Sequence, residues 1–296
     1  MVLKKRYERI GYLFVLPALI YMCCLMIYPI FYNIALSFKD VNMFNLISGD
    51  KPFVGFQNYM KVFSEPLMKT SILNTFYYTV GSILFQFVLG FLFALLFTGK
   101  FRCLKPMRGL LMITYILPVT VTSILFKFMF DTNCGVINQT LLSLGLIPKA
   151  IPWLLKPTSA MWATIITNIW CGIPFNMMIL SAGLTSIPTD IYESAVLDGA
   201  SVFQKFFYIT LPLMRTTIEA VLVLGFVYTF RVFDLIFVLT NGGPVNSTEV
   251  LSTYSYKRSF VEFNFSQGAA IANVLFVILL VVGLIYTRLI KSDEAM

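Results

Sequence analysis

The stretch "YESAVLDGASVFQKFFYITLP", residues 192–212, sits between two long apolar runs and is built unlike either. Just before it, Pro188 and Thr189 break the preceding helix. Asp190 is expected to cap the next helix, with Glu193 at capping-box spacing and both acids at the positive helix end. Gly199 ends that helix or lets another backbone approach closely. Ser201 is expected to cap a second short helix through Phe203, Phe206 and Phe207, and Leu211-Pro212 turns the chain back. The product is a pair of short helices outside the lipid. Two acids and one lysine suit an anionic leaflet poorly. A docking surface for a protein partner fits better.

The rest of the chain supplies the reason such a segment stands out. Apolar residues make up 58% and charged residues 12%, too little polar material to cover a water-soluble surface. Lipid must solvate much of this protein. The formal charge of +8 comes from basic residues scattered at the ends of apolar runs, which excludes a nucleic-acid face. There is no histidine, and Cys23, Cys24, Cys103, Cys134 and Cys171 form no C-x-x-C pair, so no metal or haem site is expected. The cysteines read as small apolar fillers.

Six runs are long enough to cross a bilayer as helices, near 11–37, 71–98, 107–130, 159–183, 216–240 and 267–289. Period-2 alternation is absent, which disfavours a barrel. Pro17, Pro29, Pro118 and Pro174 lie inside these runs and read as structural rather than as hinges. Lys4, Lys5, Arg6 and Arg9 flank the first span, which is read as retained rather than cleaved. Residues 1–10 and 291–296 are then cytoplasmic, as is the loop 186–212, and 11–290 form one membrane domain. The outer loops contain "FVGFQNYMKVF" and "GVINQTLLSLGLIP", which read as short amphipathic surface helices. The N-x-[ST] matches at Asn138 and Asn246 read as chance.

The 192–212 stretch resembles the EAA loop of binding-protein-dependent ABC importer permeases. Glu193, Ala195, Asp198, Gly199, Ala200, Phe206, Ile209, Leu211 and Pro212 match its pattern, while Ser194 and Thr216 depart from it. "PALIYMCCLMIYPIFYNIALSF", "FVGFQNYMKVF" and "TFRVFDLIFVLTNGGPVNSTEVL" are similar to the carbohydrate-uptake branch, the maltose and multiple-sugar permeases. The resemblance implies an all-α, six-span type I importer domain in a prokaryotic cell membrane. Its coupling helix would dock on a cytoplasmic ATPase through Tyr192, Glu193, Ala195, Asp198, Gly199, Ala200, Phe203 and Phe206. It also implies a second permease, two ATPase copies and an external sugar-binding protein. No G-x-x-x-x-G-K-[ST] occurs, so ATP is expected on a partner chain and no cofactor on this one.

In the fifth run, Arg231 is expected near the midplane, where a charge normally faces a cavity or a partner. Asp234, three residues on, can pair with it on one helix face. The pair is either a structural ion pair or a translocation-pathway site with Tyr228 as a stacking surface. The resemblance places the branch's sugar-contacting positions on Tyr228, Arg231 and Val232, with different residue types. Gln86, Asn168 and Asn176 read as helix–helix hydrogen bonds, and Lys127 as a snorkelling side chain. A non-sugar solute such as a glycerol-phosphate-type polyol is the alternative cargo. An ion-coupled transporter or a membrane enzyme would need titratable or nucleophilic groups that the spans lack.

Overall fold

A computed structural model describes residues 12, 14–47, 50–99 and 104–293. The basic residues at 4, 5, 6 and 9, together with Lys100, Arg102, Cys103 and the last three residues, lie outside the described residues. The described chain is helical apart from isolated bridges. Its helices are α1 (Phe14–Ser37), α2 (Gln57–Ser64), α3 (Pro66–Phe97), α4 (Leu104–Ile116), α5 (Val119–Met129), α6 (Val136–Ser143) and α7 (Pro157–Ser186). There follow α8 (Thr189–Leu197), α9 (Val202–Leu213), α10 (Arg215–Phe230), α11 (Asp234–Leu239), α12 (Leu251–Tyr256, prolonged by a π-turn Lys257–Val261) and α13 (Phe265–Asp293).

Helices α1, α3, α7 and α13 are each long and apolar enough to cross a bilayer alone. The short surface helices read in the first two outer loops are present as α2 and α6. Two expected spans are broken. The run 107–130 splits at Leu117-Pro118 into α4 and α5, bent by 101°. Pro118 removes an N–H and pushes the preceding residue out of the helical region, so here a proline does act as a corner. Pro174, with the same local signal, sits inside an unbroken α7. The run 216–240 splits at residues 231–233 into α10 and α11. No proline or glycine causes this break. The Ser252 hydroxyl donates to the Val232 carbonyl and so takes up a backbone group that a continuous helix would have used.

The chain forms two compact units. The first holds the residues up to Glu65 with Tyr254–Phe276. There Asn58, 3% exposed, donates to the carbonyls of Ser37 and Lys39, tying α2 to the end of α1. Glu65 accepts from the Tyr254 hydroxyl and from Arg258, and Arg258 also pairs with Glu262. Burial, helped by the Glu65 carboxylate, pushes the Tyr254 phenol up to about 12. No residue in the apolar window of α1 is buried within the chain, which leaves that surface outward, as a lipid-facing span requires.

The second unit, Pro66–Thr253 with the residues from Val277 on, is organised by α3 and α7. Their backbones approach closely because glycines stand at the crossings: Gly90 lies against Asn176, and Gly172 against the Gln86 amide. One core cluster joins Tyr78, Phe126, Phe130, Met161, Ile165, Leu235 and Leu239. A second joins Phe91, Phe97, Leu104, Met177, Leu180, Met214 and Val221. Along α7 they are separated by residues 168–176, near the middle of a helix about 45 Å long.

The loop after α5 is knotted on Asn138, which is fully buried. Its amide donates to the carbonyls of Thr132 and Ile151 and accepts from the Ile151 N–H and the Trp153 ring N–H. The N-x-[ST] match there is therefore a structural asparagine. Asn138→Ala leaves several backbone groups without partners and is expected to cost at least about 1–3 kcal/mol, read as a lower midpoint of thermal unfolding in detergent. In the same loop Asp131 accepts the Cys134 N–H, its thiol and the Asn133 N–H, which hold its carboxyl below the usual range.

Candidate functional site: an exposed helix pair and a mid-helix cavity

Beyond the Ser186 end of α7 the chain makes the helix pair α8–α9. Pro188 occupies the N-cap of α8, so no side-chain oxygen caps it. The expected Asp190–Glu193 capping box is therefore absent. Asp190 lies in the first turn, where it still meets the positive helix end, while Glu193 falls beyond that turn. The other end is closed as expected. Gly199 has φ +75°, Ala200 N–H donates to the Ala195 carbonyl and Gly199 N–H to that of Val196, the Schellman pattern. Nothing lies within 4 Å of a Cβ built on Gly199, so the glycine serves the turn and not a close approach inside this chain. Ser201 caps α9 in a full capping box with Gln204.

This local order gives the pair two faces. Tyr192 bonds Thr210 across the turn at 2.9 Å, Ala195 is 9% exposed, and Phe206 packs edge-on against Phe91 at 5.6 Å. These three expected docking residues therefore hold the pair to its own chain. Glu193, Asp198 and Phe203 point outward, and Ala200 is half-buried. The outward apolar groups are Val196, Val202, Phe203 and above all Leu197, 88% exposed. Leu197 was not singled out from the sequence. The signal was there: with Tyr192 and Ala195 on the inner face at i, i+3, the 3.6-residue period turns residue 197 away. Large apolar side chains on a short capped helix mark an interaction surface.

The second feature is a cavity of about 530 Å³ between the two core clusters. Such a volume suits a small-molecule ligand. Both broken spans end on it. Tyr115 and Val119 flank one break, and Arg231, Val232, Phe233 and Asp234 form the other. The structure thus brings Tyr228, Arg231 and Asp234 onto one wall. They are not an ion pair: the helix stops between Arg231 and Asp234, and no salt bridge joins them. Arg231 instead lies over the Tyr228 ring, 5.1 Å from its centroid, and Tyr228 meets Phe175 edge-on at 5.9 Å. Arg231 caps the C-terminal end of α10 and Asp234 opens α11, so each charge sits at the helix end that favours it.

The floor is polar. Gln86 fits the notch left by Gly172 and donates to the Asn168 carbonyl at 2.7 Å, the expected link between helices. Asn176 bonds Gly172 of its own helix instead, and the Asn168 amide nitrogen is buried without a partner. All three line the cavity, a placement not expected from sequence. Asn168, Gly172 and Asn176 at four-residue spacing in an apolar helix were the available signal. Among the described residues no His, Cys, Asp and Glu cluster could hold a metal.

Two broken spans around a cavity are a feature of transport permeases. The chain belongs to the family described as "Binding-protein-dependent transport system inner membrane component", whose pattern matches residues 86–292. It is 33% identical to the trehalose/maltose transport system permease protein MalF of Thermococcus litoralis, over 97% of this chain and 95% of that one. It is 31% identical to the sulfoquinovosyl glycerol transport system permease protein SmoG of Agrobacterium fabrum, over 94% and 89% of the two chains. Among solved structures it is similar to a chain of a bacterial ABC transporter involved in the import of the acidic polysaccharide alginate. That likeness has a TM-score of 0.79 at 25% identity and covers 97% of this chain and 99% of that one. As a permease of this family the chain is a transport component and not an enzyme.

Proposed function

We propose that this permease forms half of the translocation pathway of an ATP-driven importer for a sugar or oligosaccharide handed over by an external binding protein. The observation that carries the cargo class is the cavity wall: aromatic rings beside amide and carboxylate groups suit a polyhydroxylated ligand. The transport of sugars by the named relatives supports the same class. In this reading α8–α9 docks on a cytoplasmic ATPase, one of two copies, and a second permease supplies the facing half of the cavity. Both termini are cytoplasmic, the lipid bilayer covers the apolar spans, and ATP binds only to the ATPase chains. A glycerol-phosphate-type polyol would fit the same mixed wall and is the second reading.

The test is isolation of the protein from its native membrane in mild detergent, followed by reconstitution into vesicles. An ATPase and a second permease are expected in fixed ratio, with sugar uptake dependent on ATP and binding protein. A chain that emerges alone and moves solute without ATP would overturn the proposal.

A further inference from the structure

Resting on the reading of the cavity as the sugar pathway, we infer that its cargo carries an acid group, and that Arg231 is the residue that selects it. Arg231 is the basic side chain on the cavity wall, and among the described residues no carboxylate lies within salt-bridge distance of it. The sequence alone left open a pairing with Asp234 that would have cancelled any preference for an anion. The break at residues 231–233 removes that pairing.

What Arg231 does touch leaves its binding edge free. The guanidinium lies over the Tyr228 ring, 5.1 Å from its centroid, a contact that uses none of its N–H groups for a hydrogen bond to the protein. The N–H donors point outward in the plane of the group, in the fork that fits a carboxylate or sulfonate with two parallel hydrogen bonds. The stack also restricts the side chain, so less freedom is lost when the anion arrives.

The remaining polar groups complete the match. Gln86 and Asn176 each give one amide N–H to a backbone carbonyl of α7, and their oxygens remain as acceptors. Asp234 is a third acceptor on the wall. Sugar hydroxyls are donors, so they suit this side. The cavity wall thus offers acceptors for a ring's hydroxyls, the unpartnered Asn168 amide N–H groups, and one charged, forked donor, Arg231, for its acid. A neutral sugar makes no charge-assisted bond with Arg231. An acidic sugar is both bound and oriented.

The experiment isolates the permease from the selectivity of the binding protein. In the assembled importer, Cys171 on the same wall is kept as the single cysteine, with Cys23, Cys24, Cys103 and Cys134 changed to alanine. Its rate of reaction with a small maleimide is measured in vesicles lacking binding protein, against increasing uronic-acid trisaccharide or the uncharged trisaccharide of the same ring form. The uronate is expected to protect Cys171 at about tenfold lower concentration than the neutral sugar. Arg231→Gln should remove that preference, and Arg231→Lys should restore part of it. Equal protection by both sugars, or a preference that survives Arg231→Gln, overturns the acid-group inference and leaves the sugar pathway standing. If neither sugar slows the reaction, the pathway reading fails as well.

Discussion

Leu197→Asp is expected to abolish cargo-stimulated ATP hydrolysis in the assembled importer while the chain still accumulates in the membrane. The residue is 88% exposed, so its own fold gains little from the leucine and loses little with it. On a docked ATPase the same side chain would be buried. Burying a leucine contributes about 1.5–3 kcal/mol, and an unpaired carboxylate forced into the same apolar contact reverses the sign. The combined change corresponds to docking weakened by more than about a hundredfold. Leu197→Met should keep stimulation near normal, because it keeps the apolar surface. Phe203→Ala should fall between them. Stimulation that survives Leu197→Asp would mean that α8–α9 does not carry the drive from the ATPase.

Gly90→Val is expected to give the largest loss of stability in the spans. A Cβ there would stand 2.5 Å from Asn176 Cβ, 3.2 Å from Met177 N and 3.3 Å from the Asn176 carbonyl carbon. None of these atoms can rotate away, so α3 and α7 must part along the contact that organises the second unit. Overpacking of this kind costs about 1–3 kcal/mol, and more where backbone must move. Thermal unfolding in detergent should show a clearly lowered midpoint and poor yield. Gly109→Ala is the control. Nothing lies within 4 Å of its added Cβ, and alanine favours the helix by up to about 1 kcal/mol. Equal midpoints for the two variants would sink the close-packing account.

What could be read from sequence was whatever is settled by neighbours along the chain. The docking segment was legible because its glycine turn and its Ser201 cap are local chemistry. Its start was misread because Asp190 has the right spacing to Glu193 but is the second residue of a helix that begins at Thr189, with Pro188 at the N-cap. The corners of the spans were harder. Pro118 and Pro174 carry the same signal, and only tertiary packing makes one a corner and the other a passenger. The break at 231–233 has no local cause, since its stabilising partner, Ser252, lies 20 residues away. The ion-pair alternative for Arg231 and Asp234 is absent for the same reason: i, i+3 spacing brings two side chains together only while the helix continues. Gln86, Asn168 and Asn176 were visible as polar residues in apolar runs, but that α3 and α7 close on a common cavity is a fact of packing.

The two corners give that cavity a mechanical property. The side of a helix is stiff, because each turn is tied to the next by hydrogen bonds. A helix end is a joint, free to turn about a few backbone dihedrals without breaking any of those ties. Here α5, of 11 residues, is a rod about 16 Å long whose pivot lies on the cavity wall, and α11, of 6 residues, is a second rod about 9 Å long. A swing of about 10° moves the far end of the longer rod by about 3 Å. In the proposed importer, motion started at α8–α9 would therefore have a low-cost place to be converted: the cavity walls would turn on their corners while the long helices α3 and α7 stay straight.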